Sequence, residues 1–101
     1  MKAFLILACA GLVLAAPPSF AADLQAGAQL AARCVACHGQ HGMSTSPNYP
    51  NLAGQKPVYL KKQLADFAAG KRIDPLMSAM VKGLSEQDMD NLADFFSRQK
   101  P

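Results

Sequence analysis

Three stretches of the chain carry apolar side chains at helical spacing, and none alternates convincingly with a period of two. In the first, Asp23 suits an N-cap, and Leu24, Gly27, Leu30 and Ala31 fall on one stripe of a segment that reaches Arg33. In the second, Pro57 suits a first helical turn, and Leu60, Leu64, Phe67 and Ala68 recur at i, i+4, i+7 and i+8. Lys61, Lys62 and Asp66 take its outer side, and Gly70 marks its end. The third opens on Ser85 with Asp88 three residues on, a variant of the capping box, with Glu86 adding negative charge to the first turn. Met89, Leu92, Ala93 and Phe96 then mark one face, with Phe95 beside it, and Arg98 and Lys100 complement the C-terminal end. The pattern predicts an all-α domain without internal repeats.

The segments between these helices differ in kind. Residues 39–56 are rich in glycine, proline, serine and asparagine, an unusually long loop for so small a domain, and such loops are generally functional or disordered. Tyr49 and Leu52 within it are apolar enough to be pinned against something, and a loop laid across a bound group would explain both. Lys71 to Pro75 reads as a connector, since the residue before proline avoids helical geometry. Leu76 to Gly83 is short and apolar, with ambiguous local structure. At Gly27 a helix loses stability relative to alanine, so its expected use is the close approach of another helix.

The first residues follow another logic. A lysine at position 2 precedes an unbroken apolar or small-residue stretch from Ala3 to Ala16. Pro17-Pro18 breaks it, and Ser19-Phe20-Ala21 places small residues where a signal peptidase reads. The expectation is an export signal over residues 1–21, cleaved after Ala21, with the domain over 22–101 and a periplasmic location. A retained anchor is disfavoured because about 14 apolar residues fall short of the roughly 20 that span a bilayer. A lipoprotein reading of Ile6-Leu7-Ala8-Cys9 leaves too short a hydrophobic region ahead of the cysteine.

Loss of the leader leaves Cys34 and Cys37 as the only cysteines of the original three. It also leaves nine basic residues against seven acidic ones, a net +2. Such a balance indicates neither a nucleic-acid patch nor a strong attraction to membrane surfaces, and no stable membrane insertion is expected. About 80 residues without tryptophan form a domain of marginal core size, where a disulfide, metal or cofactor is often needed. A disulfide closing so small a loop would stabilise little by chain entropy, whereas a large apolar cofactor would give the chain a body to fold around.

Cys34-Val35-Ala36-Cys37-His38 supplies the chemistry for one. Two cysteines three apart followed by histidine is the spacing that attaches a c-type haem. On a helical turn both sulfurs share a face and can reach the two vinyl groups on one porphyrin edge, with the imidazole turned under the ring. A zinc site would want a second, well-separated ligand pair beyond Cys34, Cys37, His38 and His41, and the chain has none. A thiol-disulfide oxidoreductase expects βαβ units, which the pattern lacks. A plain structural disulfide is the remaining alternative.

For the other axial position, His41 reads as a surface histidine on a glycine-flanked turn, Met43 lies close to His38, and Met89 belongs to a core stripe. Met77 and Met80 are nearly equal candidates by spacing.

The cysteine motif is followed by Ser46-Pro47-Asn48-Tyr49-Pro50-Asn51-Leu52-Ala53-Gly54-Gln55, then Tyr59-Leu60, Met77-Ser78-Ala79-Met80 and Gly83-Leu84-Ser85. This order resembles the class I c-type cytochromes of bacterial periplasms, in particular small monohaem members and single units of the two-domain dihaem proteins. It spans essentially all of residues 22–101.

The resemblance implies the class I fold, about three to four helices wrapped around one haem c. Thioethers would form at Cys34 and Cys37, and the iron would be bound by His38 and Met77, the methionine eight residues before the serine that starts the last helix. Pro47, Tyr49, Pro50 and Leu52 would line the histidine side, and Gln55 and Tyr59 would neighbour the ring or its propionates. Gly27 and Leu30 would meet the last helix at Leu92, Phe95 and Phe96. One Cys-x-x-Cys-His string implies a single-haem protein rather than the two-domain form.

The implied role is a single-electron carrier without enzymatic activity, docking redox proteins through an exposed ring edge, as a monomer or weak dimer. A local lysine cluster (Lys56, Lys61, Lys62) could bias that docking. Alternatives are a haem subunit of a larger oxidoreductase, or a haem enzyme or gas sensor with a dissociable methionine.

Overall fold

Among the described residues, Asp23 opens the first helix. Its carboxylate accepts hydrogen bonds from the backbone N–H groups of Gln25 (3.0 Å) and Ala26 (3.1 Å), capping helix α1, Leu24–Ala31. The computed structural model describes residues 2–12 and 21–101. Within that range residues 2–12 carry no regular structure. The expected break at Pro17-Pro18 and the peptidase motif through Phe20 lie outside the described residues. Among the described residues no helix is long and apolar enough to cross a membrane.

The chain continues from α1 through a 3-10 turn, Ala32–Cys34, into the single-turn α2, Val35–His38. Gly39 then takes φ +78°. A second 3-10 turn, Gln40–Gly42, includes His41 at φ +57° and is followed by an irregular path to Lys56. Helix α3 spans Pro57–Ala68 with proline in its first turn. Helix α4, Pro75–Met80, is capped by Asp74, whose Oδ1 accepts from Leu76 N–H and Met77 N–H, both at 2.9 Å. Helix α5, Glu86–Ser97, opens on the full capping box: Ser85 Oγ accepts from Asp88 N–H at 3.0 Å, and the Asp88 carboxylate accepts from Ser85 N–H at 3.0 Å.

The expected three to four helices are thus α1, α3, α4 and α5, with α2 continuing α1, and no strand occurs among the described residues. The segment whose local structure was ambiguous is a helix. Asp74 supplies its cap and Pro75 fits its first turn, where a missing N–H costs nothing.

Helix α5 packs against both α1 and α3. Ala31, Leu60, Leu92, Ala93 and Phe96 form the buried cluster, flanked by half-buried Leu30, Cys34, Leu52, Leu64, Leu84 and Phe95. The α1–α5 crossing depends on Gly27. A Cβ there would lie 2.3 Å from the Asn91 carbonyl oxygen and 3.0 Å from Phe95 Cβ. Asn91, 5% exposed, closes the same contact, its Oδ1 accepting from Asp23 N–H and from Gln87 Nε2, both at 2.8 Å. Because α1 runs directly into Cys34, this crossing sets where the cysteine motif sits over the core.

Candidate functional site

Helix α2 is a single turn, and that turn presents Cys34, Cys37 and His38 to one cavity of about 550 Å³. The cavity lies between the cysteine turn, the 48–55 loop, the inner face of α3, the 72–81 segment and α5. Its volume lies within the roughly 300–1,000 Å³ typical of small-molecule and cofactor sites. Leu30, Leu52, Leu60, Leu64, Phe67, Val81, Leu84, Leu92, Ala93 and Phe96 make most of the wall apolar.

His38 is 6% exposed, and its Nδ1 lies 2.8 Å from the Pro50 carbonyl oxygen. A carbonyl only accepts, so Nδ1 carries a proton; in the neutral imidazole this leaves Nε2 a lone pair, and Nε2 has no hydrogen-bond partner among the described residues. Such a second contact fixes both the tautomer and the ring orientation of a metal-binding imidazole. Tyr49 adds an edge contact, with ring centroids 6.3 Å apart.

Pro50 is held in turn by the loop. Asn51 Oδ1 accepts from Ser44 N–H at 2.7 Å, and the Gly42 carbonyl accepts from Leu52 N–H at 2.8 Å and Ala53 N–H at 3.1 Å. The long loop is therefore closed on itself by hydrogen bonds, and Leu52 reaches the cavity as a half-buried anchor. Gly42 must remain small, since a Cβ there would lie 2.8 Å from Ala53 N and 2.9 Å from Phe96.

The cysteines are free and partly buried. Burial pushes the Cys34 thiol above its ordinary value, opposed by the charge of neighbouring Arg33 and augmented by Cys37. Two thiols, one buried imidazole with a free nitrogen, and two methionine sulfurs in the wall form the donor set of a haem held by thioethers and two axial ligands. The residues fit that group. Among the described residues no cluster of three or more His, Cys, Asp or Glu is placed to hold a bare metal ion.

Met77 and Met80 both lie on α4 and line the cavity; Met77 is half-buried and Met80 is 42% exposed. Met43 is exposed and outside the wall, Met89 is 5% exposed in the core, and His41 is on the surface. Tyr49, Pro50, Leu52, Gln55 and Tyr59 line the cavity, whereas Pro47 is exposed and does not. Sequence reasoning missed Arg33, Asn48, Asn51, Gln63, Arg72 and Ile73, which also reach the wall. Gln63 carried a usable signal, one turn from Leu60 and Phe67 on the stripe of α3. Of the proposed lysine cluster, Lys61 pairs with Asp90 at 3.0 Å and Lys62 with Asp66, and among the described residues Lys56 makes no ion pair.

Comparison with known proteins gives concordant matches. The family model for cytochrome c covers residues 24–100. Cytochrome c4 of Pseudomonas aeruginosa is 46% identical over 80 residues, 79% of this chain and 40% of that protein. Cytochrome c-554(548) of Halomonas halodenitrificans is 39% identical over 83 residues, 79% of this chain and 100% of that protein. The crystal structure of reduced recombinant cytochrome c4 from Pseudomonas stutzeri superposes with a TM-score of 0.75 at 44% identity, covering 79% of this chain and 47% of that one. The chain spans between 40% and 43% of the length of the cytochrome c4 relatives it matches first.

Proposed function

The chain belongs to the cytochrome c family, similar to one unit of a dihaem cytochrome c4, and from that premise we propose that it is a periplasmic single-electron carrier. In this reading haem c is joined by thioethers at Cys34 and Cys37, and its iron is bound by His38 and Met77. The observation that carries it is the oriented imidazole: His38 is buried, its Nδ1 proton is committed to Pro50, and its free nitrogen belongs to a cavity whose wall also holds methionine sulfur.

Haem supplies one-electron chemistry, cycling between ferric and ferrous iron. The residues of this chain determine what that chemistry is used for. His38 and Met77 would hold the iron between them, which would leave no site open to oxygen or substrate and would favour outer-sphere transfer over catalysis. A thioether ligand favours the ferrous state relative to a second imidazole. The apolar wall favours it further, by disfavouring the extra charge of the ferric form and limiting water near the iron. Tyr49, Pro50 and Leu52 hold the imidazole side; Gln55 and Tyr59 offer polar groups at the rim. A modest net charge suits weak, transient docking to redox proteins through the exposed ring edge.

A haem-stained denaturing gel and a visible spectrum test the reading. Covalent haem, low-spin bands and the weak far-red sulfur-to-iron band of the ferric form are expected. A high-spin spectrum with avid carbon monoxide binding would replace the carrier by a haem enzyme or gas sensor.

A further inference from the structure

His41 and Met43 carry an imidazole and a thioether that the haem site leaves unused. Both are exposed, Met43 by 38%, and neither lines the cavity. Among the described residues neither enters an ion pair or an aromatic contact. They stand two positions apart, on the second 3-10 turn and its C-cap, with only Gly42 between them. Two links of chain span at most about 7 Å, so one small ion lies within reach of both side chains.

The backbone holds that turn in a conformation the histidine does not favour. His41 takes φ +57° and ψ +17°, with Gly39 at φ +78° and Gly42 at φ +79° on either side. The glycines enter the left-handed region freely, whereas a residue with a Cβ does so at a cost. Hydrogen bonds impose it. Gly42 N–H donates to the Gly39 carbonyl and Met43 N–H to the Gln40 carbonyl, both at 3.2 Å. The Gly42 carbonyl and Ser44 N–H are tied in turn to Leu52, Ala53 and Asn51. The two donors therefore stand on a fixed platform rather than a loose loop tip. His41 is the one positive-φ residue other than glycine among the described residues, and such outliers concentrate at ligand and active sites.

The donor pair selects the ion. A thioether prefers soft metals, and an imidazole accepts them as well. A closed zinc site wants four donors, and calcium or magnesium wants oxygen, so this pair suits none of the three. A soft, singly charged ion is satisfied by as few as a pair of such donors, with solvent completing its shell. We propose that His41 and Met43 form a surface site for a cuprous-type ion, outside the haem cavity and chemically independent of it.

The test titrates Ag(I), in chloride-free buffer, into ferric holoprotein bearing Cys9→Ser, where haem attachment consumes the thiols of Cys34 and Cys37. A haem-stained gel first verifies that attachment, so a failure of the haem reading shows there and not in the titration. One equivalent of Ag(I) binds and moves the Met43 ε-methyl resonance, while that of Met80, the other exposed methionine of residues 21–101, stays in place. His41→Asn keeps a residue tolerant of the left-handed turn, so it removes the imidazole without undoing the backbone. It and Met43→Leu each weaken binding by at least about tenfold, and Met80→Leu leaves binding unchanged. Unweakened binding in either His41→Asn or Met43→Leu would overturn the proposal. So would a shift at Met80 in place of Met43, or the lack of saturable binding by the parent holoprotein.

Discussion

Replacing Gly27 by alanine drives a methyl group into the backbone of the neighbouring helix. The new carbon would lie 2.3 Å from the Asn91 carbonyl oxygen, 2.9 Å from the carbonyl carbon and 3.0 Å from Phe95 Cβ. Ordinary carbon–oxygen approaches begin near about 3.3 Å, so α1 and α5 must separate by about 1 Å at the crossing. The obstructing atoms are backbone and cannot rotate away. Forced separation of a packed interface costs about 1–3 kcal/mol. It also stretches the bond from Asp23 N–H to buried Asn91 Oδ1, for roughly another 1 kcal/mol. Against this, alanine returns about 1 kcal/mol of helix propensity. The balance is a destabilisation of about 1–3 kcal/mol, and each kcal/mol lowers the melting temperature of a domain this size by roughly 4–8 °C. Thermal and guanidinium unfolding of the holoprotein, followed by far-ultraviolet circular dichroism, measure it. Ala28→Gly, one residue along on the exposed side of α1, isolates propensity alone. A Gly27→Ala protein as stable as wild type would refute the close-approach argument.

Further expectations concern the sulfur ligand, a cap and a thiol. Met77→Ala abolishes the far-red sulfur-to-iron band and lowers the reduction potential, while Met80→Ala leaves the band in place; the reverse pattern would transfer the ligand to Met80. Ser85→Ala removes one half of the α5 capping box and lowers stability by about 1 kcal/mol, read as a reduced guanidinium midpoint at unchanged slope. In haem-free protein, burial raises the Cys34 thiol, so the folded state holds its proton after the unfolded chain has released it. Stability is therefore unaffected below the unfolded thiol's pKa, and falls as pH rises from there to the folded value. Alkylation of Cys34 should keep accelerating to higher pH in the folded apoprotein than in urea, and coincident pH profiles would contradict the burial argument.

The helices legible in the sequence were those whose ends and faces were both encoded locally. Asp23, Pro57 and the Ser85–Asp88 pair mark starts, and the stripes through Leu30, Leu60 and Leu92 mark the faces that meet in the core. Gly27 was legible because its cost in a helix needs a reason, and the Asn91 carbonyl supplies it. Helix α4 was obscured because Asp74-Pro75 can end an extended connector as readily as it can cap a helix. Within the site, Cys34, Cys37 and His38 share one turn and are visible as a string. Arg72 and Gln63 meet across nine positions only because Gly70 reverses the chain, a relation that no periodicity displays. Pro47 marks the opposite limit: a loop residue close in sequence to Tyr49 and Pro50 that the turn carries away from the cavity.

The loop that orients His38 is fastened at its far end to the last helix: Gly54 N–H donates to the Phe96 carbonyl at 3.0 Å, and Gly54 sits against Pro101. The C-terminus is thereby in mechanical series with the imidazole, through Phe96, Gly54, Leu52 and Pro50. Fraying of the final turn of α5, elsewhere a harmless loosening of a chain end, here slackens the strap that aims the histidine. The last few residues thus govern how firmly the His38 imidazole is aimed, although some 60 positions separate them from it.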